Sequence, residues 1–531
     1  MMNSLWPSMR LLVRRCRIQI LAWLLPLWAL VASTAPSYED VYPSLAEREM
    51  LVGAMRDSPG TRILYGILPT PGTIGQLVQW ETGTYLVWCS GLMSILLTCR
   101  MMRGDEDTGL VEISRGTGVG RWVGFWAPVF VVWGTTALLG AGISGVMLAE
   151  RSTVEELTVS GSLAFGASIT ITGWGFAALT ALICQLGRDL TQARGTAIGA
   201  FGVMFGLRVA ADDRDGLSWL RWVTPIGWRD IVQPFTDDSW APVIICTLAA
   251  LGILGIAGLA FGKRELLSGY LPDRTMSTRR WRVHGFTGLW VRLARSGFLG
   301  WGAGIGALAA LFGAMTGSFT DMLAPDSPTK VWVDKMADGS AVKQLMTLLT
   351  TMTVLLVASA AVRRANTLAQ EEREGLVELE IATGMSRARR YWVHLGLVVL
   401  EAIMLTGIAA GSLAWVTSSQ LTTDHAVARA AVFVLTQIPG VLAAIGLAMA
   451  IVGLVPRLAS VMWVVIGWSL FAQSFGGLVD LPDWARDLSI VGHCLDVVGD
   501  PEWVPLAVQA GIAIASLLVG FFGFSRRDVG S

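Results

Sequence analysis

The chain has 531 residues, 40 basic and 40 acidic side chains, 53% hydrophobic residues and only 15% charged ones, with a mean hydropathy of +0.57. A soluble globular chain carries about a quarter charged residues. The composition therefore excludes an ordinary soluble domain and points to a polytopic membrane protein.

Twelve apolar runs are expected as spans, at 18–34, 83–100, 122–148, 161–186, 194–210, 241–262, 298–318, 343–362, 391–416, 427–453, 459–476 and 503–524. A bilayer needs roughly 20 apolar residues per crossing. Backbone groups in lipid must bond internally, so each run is expected to be helical. The first run follows Arg10, Arg14, Arg15 and Arg17, and "LWALVASTAPS" (27–37) offers small residues like those of a cleaved leader. An equivalent segment recurs inside the chain, which favours a retained helix. The connections within 161–186/194–210 and 427–453/459–476 are short and leave the span count open there.

An even number of spans puts both termini on one side. That side carries 27 Arg/Lys and 13 Asp/Glu; the opposite side carries 13 and 26. The positive-inside rule makes the first side cytoplasmic. Its strongest basic block, 263–295, joins span six to span seven and reads as a linker. Arg279, Arg280, Arg282, Arg292 and Arg295 make it a candidate elbow on anionic lipid rather than a nucleic-acid site.

The chain repeats itself. "VRRCRIQILAW" (13–23) parallels "VRLARSGFLGW" (291–301), "GLVEISRGTG" (109–118) parallels "GLVELEIATG" (375–384), and "SWAPVIICTLAALGILGIAGLAFGKREL" (239–266) parallels "EWVPLAVQAGIAIASLLVGFFGFSRRDV" (502–529). The three matches keep their order. The expected fold is all-α: two parallel six-helix repeats, residues 1–270 and 298–531, separated by a basic linker at 271–297. Parallel halves leave a cavity between them suited to a transport path.

In each half the repeated phrase lies between spans two and three, on the expected cytoplasmic side. Both copies run acidic residues, then Gly-Leu-Val-Glu, then Thr-Gly, then Arg. In the second, Leu376, Leu379 and Ala382 form an apolar stripe flanked by Glu371, Glu374 and Glu378. Thr-Gly is a helix stop. Two readings are open: a solvated loop helix held by its own charges, or a short amphipathic helix shaped to dock in a partner's groove. Duplication at one topological site favours docking.

This layout resembles the membrane subunits of ABC-2-type exporters. There a coupling helix between spans two and three carries an acidic pair, glycine, glutamate, a turn and arginine. The matching residues here are Glu371/Glu372, Gly375, Glu378, Thr383-Gly384 and Arg387 in half two. In half one they are Asp105/Glu106/Asp107, Gly109, Glu112, Thr117-Gly118 and Arg121. "LRWVTPIGWRD" (220–230) before span six, and "KRE" (263–265) or "RRD" (526–528) after the last span of each half, also look like that family. Half two departs at "LSIVGH" (488–493), with Ile490 where half one has Pro225. The fused form with "VRRxR" before span one resembles the permeases of actinobacterial polyketide-antibiotic exporters of the tetronasin type.

The resemblance implies a transport subunit of a bacterial plasma membrane, with ATP and Mg²⁺ held by a homodimer of a separately encoded ABC ATPase. The coupling residues would be Glu106, Gly109, Glu112, Gly118, Arg121, Glu372, Gly375, Glu378, Gly384 and Arg387, and the cargo an amphiphilic or hydrophobic small molecule. The chain has no GxxxxGK[ST] phosphate loop of its own. No catalytic residue, resident cofactor or metal site is expected.

Glu401 lies mid-span, where an acid is costly and a functional candidate. It can line a substrate path or be paired against neighbouring helices; its repeat mate is Thr135. The acidic pairs Asp212-Asp213 and Asp237-Asp238 read as solvated loop charge, and His394 and His425 as interfacial. Trp122, Trp240, Trp392 and Trp503 read as interface anchors. "SLAEREMLVGAMRDSPG" (44–60) reads as a helix in an outer subdomain. The six cysteines lack metal or disulfide spacing. Rival classes are a proton-coupled 6+6 secondary transporter, whose basic loop signature is missing, and a lipid-linked glycosyltransferase, which needs an outer acid cluster.

Overall fold

The computed structural model describes residues 2–56, 59–270, 285–322, 341–420, 431–432, 434–475, 482–490 and 503–527. Residues 271–284 of the expected linker, His425 and Cys494 lie outside them. The described residues contain helices and no strand. Two compact units divide the chain, residues 1–280 and 281–531.

In the first unit, α1 spans Met2–Val41, α2 Leu45–Arg56, α3 Pro59–Tyr65 and α4 Ile74–Cys99, followed by one π-turn at Arg100–Gly104. Then come α5 (Leu110–Gly116), α6 (Val123–Glu150), α7 (Val159–Leu186), α8 (Leu190–Asp213), α9 (Trp228–Val232) and α10 (Trp240–Lys263). The second unit has α11 (Gly285–Met322), α12 (Ala341–Arg373), α13 (Leu376–Ala382), α14 (Arg387–Gln420), α15 (Ile438–Leu454), α16 (Met462–Phe475) and α17 (Val504–Arg526). Residues 285–297, expected as linker, are the first turns of α11.

Eight of these helices are long and apolar enough to cross a membrane: α1, α4, α6, α7, α10, α11, α14 and α17. The shorter α15 is also apolar. The expected spans 194–210, 343–362 and 459–476 fall on α8, α12 and α16. This is an all-α, multi-pass membrane protein.

The helices start where local chemistry supplies a cap. Thr73 and Gln76 form a capping box ahead of α4, each side chain bonding the other's backbone N–H. Thr158 caps α7 and Asp189 caps α8 through the side chain alone, accepting from the Gly161 and Gln192 N–H groups. Helix α1 contributes a stripe of Leu12, Cys16, Ile20, Leu24, Leu27 and Val31 to the core, and Trp28 Nε1 donates to Leu139 O of α6 at 3.1 Å.

Helix α7 is the hub of the first unit, packing on α4, α6 and α10, while α1 lies on α6. Backbones of α6 and α7 approach at Gly140 and Gly166, where a Cβ on either would come within 2.3 Å of the other's carbonyl oxygen. Small residues at such crossings let transmembrane helices associate by close packing. The second unit repeats the pairing, with α11 on α14 and α12 and α17 on α15.

At the end of the first unit away from α5, α2 realises the helix expected at 44–60. Its Arg48 is buried, donates to Tyr42 O at 2.8 Å and pairs with Glu156. Trp122, Trp240, Trp392 and Trp503 are all exposed near helix starts.

Candidate coupling site

The two copies of the repeated phrase build the same object. Gly109 and Gly375 stand immediately before α5 and α13 with φ of 74° and 73°. Gly118 and Gly384 follow them with φ of 84° and 91°. A Cβ at any of the four would meet nothing within 4 Å. Backbone conformation rather than space therefore demands glycine, since left-handed φ strains every residue with a Cβ. Thr117 and Thr383 close the helices, their hydroxyls donating to Ser114 O and Glu380 O at 2.7 Å. Each helix is thus seven residues long, bracketed by left-handed glycines.

The outward faces also match. Leu110 and Leu376 are 39% and 44% exposed, and Ile113 and Leu379 are 67% and 65% exposed. Glu112 and Glu378 are exposed beside them. The expected stripe of Leu376, Leu379 and Ala382 is on the surface, with Val377 alone of α13 buried. Two large apolar side chains and one carboxylate per helix are presented outward.

The remaining expected residues point inward and tie each phrase to the last helix of its own unit. Glu106 is buried and accepts from both terminal nitrogens of Arg264 at 2.9 and 2.8 Å, from Arg103 at 3.1 Å and from the Leu267 N–H at 2.6 Å. Arg103, also buried, donates to Cys184 O, Gly187 O and Ser268 O. Arg121 donates to Phe261 O at 2.8 Å and to Arg264 O, with its guanidinium 5.5 Å from the Phe261 ring centre.

The second unit has the same clasp. Arg527 donates to buried Glu372 at 2.7 Å, and Arg387 donates to Arg527 O. Glu106 and Glu372, Arg121 and Arg387, and Arg264 and Arg527 are repeat mates, so one ion pair and one carbonyl grip occur twice. Arg264 and Arg527, the middle residues of "KRE" and "RRD", belong to the clasp, though the sequence showed them only as half-end markers.

Beyond the clasp the copies diverge. In unit one, Asp105 takes a two-pronged grip from Arg15 of α1, at 2.9 and 2.8 Å. In unit two the buried Arg390 of α14 pairs with Glu371 and with Glu380 of α13 itself. The Trp290 ring lies 4.1 Å from the Arg390 guanidinium and its Nε1 donates to Glu380 at 3.1 Å. Burial pushes the Glu371 carboxyl above its ordinary pKa against the pull of Arg390. The repeat mate of Glu380 is Ser114, whose hydroxyl only bonds Val111 O.

The substrate-path candidates are not a matched pair. Glu401 is buried and sits 3.6 Å from Arg364 of α12, an ion pair between neighbouring helices. Thr135 is buried and its hydroxyl turns back to Val131 O in its own helix at 2.8 Å. His394, expected at the interface, is buried, its Nε2 3.3 Å from Ala365 O.

Asp212, expected as solvated charge, is also buried. It pairs with Arg208 at 2.9 Å and Arg221 at 2.8 Å. Arg208 reaches Asp230 at 3.6 Å, and Arg229 binds Asp230 at 2.8 Å together with the carbonyls of Gln79 and Tyr65. Burial raises the Asp212 carboxyl, while at Asp230 the neighbouring Arg229 and Arg208 outweigh burial and hold it below the usual range. This network fixes the turn "TPIGWRD" against α4 and α8. Asp213 stays exposed.

Comparison with known proteins follows the same lines. Residues 284–525 match the family described as the C-terminal domain of the multidrug efflux system permease Rv1217c. Across 537 aligned positions, 98% of this chain and 94% of the relative, the chain is 28% identical to the multidrug efflux system permease protein Rv1217c of Mycobacterium tuberculosis (strain ATCC 25618 / H37Rv).

Proposed function

We propose that this chain is the membrane-spanning permease subunit of an ATP-driven multidrug exporter of the ABC type. Full-length similarity to a multidrug efflux permease supports the transport role. The observation that carries the coupling is the pair of glycine-bracketed helices, each with an exposed Leu/Ile pair beside an exposed glutamate. A short amphipathic helix on a rigid base suits a groove on a partner. Two such helices per chain suit two copies of one ATPase, which would carry ATP and Mg²⁺.

On this reading the ten expected residues divide by role. Glu112 and Glu378 touch the ATPase. Glu106, Glu372, Arg121 and Arg387 hold the coupling helix to α10 or α17, so that displacement of the helix moves the last membrane helix of its half. Gly109, Gly118, Gly375 and Gly384 set the helix apart as one rigid piece. Closure of the ATPase dimer would then move the halves as rigid bodies. The charge balance supports a bacterial plasma membrane protein with both termini and both coupling helices in the cytoplasm. Amphiphilic or hydrophobic antibiotics are the cargo class that the polyketide-exporter resemblance favours, with Glu401 and Thr135 as the path residues to test first.

The deciding experiment reverses charge at the docking face. Glu112→Lys/Glu378→Lys should leave the permease inserted and abolish both co-purification of the ABC ATPase and ATP-dependent drug efflux. Normal efflux in the double variant would overturn the coupling assignment.

A further inference from the structure

The motif "VRRCR" before span one has a use beyond orienting the first helix. Arg15, from that motif, lines a cavity of about 600 Å³ at the coupling end of the first unit, with Arg100 and Arg194. Leu96, Leu110 and Leu190 supply apolar wall. The volume is in the range of small-ligand pockets. Asp105 is the only carboxylate among the lining residues and is engaged by the two-pronged grip of Arg15. Two positive charges remain. One terminal nitrogen of Arg100 donates to Gln19 at 2.6 Å. The Nε of Arg194 is buried without a hydrogen-bond partner among the described residues.

The location selects the ligand. Arg100 ends the expected span 83–100, and Arg15 precedes the expected span 18–34 by three residues. The cavity therefore sits at the depth of a bilayer headgroup layer, on the side that the charge balance makes cytoplasmic. A basic pocket between membrane helices at that depth is suited to an anionic headgroup.

The repeat shows that the charges are not needed to build the coupling architecture. The mates of Arg15 and Arg100 in half two are Leu293 and Asn366, and the Asn366 amide is occupied by Ala459 O at 3.0 Å. Cationic lining at these two positions is confined to half one.

We propose that this cavity is a binding site for the phosphate headgroup of an anionic phospholipid of the cytoplasmic leaflet, held by Arg100 and Arg194, with Leu96 and Leu190 against the start of its acyl chains. Because Leu110 of α5 and Gly104 also line the cavity, a bound headgroup braces the coupling helix of half one. The site rests on the membrane orientation given above and not on the ATPase.

The full-length chain, reconstituted in phosphatidylcholine vesicles containing phosphatidylglycerol, is extracted and its retained lipids are weighed by native mass spectrometry. Wild type should retain phosphatidylglycerol in preference to phosphatidylcholine. Arg100→Gln/Arg194→Gln should lower that preference roughly tenfold to thirtyfold, as two arginines at a membrane surface predict. Equal retention of the two lipids by wild type, or an unchanged preference in the double variant, would overturn the site. A competition arm adds inorganic phosphate: release of the lipid by millimolar phosphate would identify a free-anion site and overturn the lipid assignment. Should the double variant fail to fold, Arg194→Gln alone carries the comparison. No arm involves the ATPase, so failure of the coupling assignment leaves this result readable.

Discussion

Glu106 and Glu372 do the same task with different grip. Glu106 is shared by two buried arginines and a backbone N–H, whereas Glu372 meets one partly exposed arginine. Removing one member of a buried pair leaves the other charged and unsolvated, at a cost of about 3–5 kcal/mol. Glu106→Gln keeps the shape but sets an amide against guanidinium donors and strands Arg103 and Arg264. We expect the unfolding midpoint of the purified permease to fall by about 5 °C or more, and that of Glu372→Gln by much less. An unchanged midpoint for Glu106→Gln would show that the carboxylate is not what fastens the phrase to α10. Burial of Glu106 could not be read from its position in an acidic triplet, where solvent exposure is the ordinary outcome. Its partner lies 158 residues away. The signal was nonetheless present: an acid before the glycine and an arginine after the last span recur together in both halves. Asp212 carried no such repeated signal: Arg208 lies one turn earlier on α8, and Arg221 comes from the segment 220–230, which half two does not repeat in sequence.

At the scale of the element, the two candidate coupling helices were legible because their rules are local. Glycine, two apolar residues three apart, Thr-Gly and arginine specify start, face, stop and anchor within thirteen residues, and each appears in the structure where the spacing put it. What the spacing did not contain is the difference between the copies. Arg390 of α14, with Trp290 of α11, fastens α13 through Glu380, while α5 lacks a charged side chain at the equivalent Ser114. The bracketing glycines allow the helix itself to be tested apart from its face. Gly109→Ala and Gly375→Ala add a methyl group into open space, so their only cost is left-handed backbone strain of about 1–2 kcal/mol per residue. We expect both variants to insert and to melt within a few degrees of wild type, while drug-stimulated ATP hydrolysis by the assembled complex falls several-fold. A variant that melts far lower would mean that the glycine supports the fold of the whole unit, and full stimulation would mean that the helix start need not be fixed.

At the scale of the molecule, hydropathy and repetition made the all-α class and most of the helices readable, since length and apolarity alone decide whether a segment can cross lipid. The same hydropathy placed spans on α8, α12 and α16 but said nothing about the buried ion pairs that hold the turns, such as Asp212 with Arg208 and Arg221. Fusion of two halves in one chain has a consequence that single-half permeases cannot show. On the proposed reading the two docking faces are separate, and each can be disabled alone. Ile113→Ser and Leu379→Ser remove the most exposed apolar group of each face without touching the clasp beneath. If each face holds one ATPase subunit, either single variant should bind one subunit at saturation where wild type binds two, counted by native mass spectrometry, and the double variant none. Linked sites also strengthen each other, because capture of the first subunit raises the effective concentration of its dimerising partner. Each single variant should therefore lose more than half of the ATP-dependent efflux. Helix α13, unlike α5, is tied directly through its own Glu380 to Arg390 and Trp290, and it carries Glu380 as well as Glu378. Leu379→Ser should accordingly weaken ATPase binding more than Ile113→Ser does. Equal losses from the two would mean that the mounting of α13 does not reach its docking face, and two bound subunits in either variant would mean that the faces do not act one to a subunit.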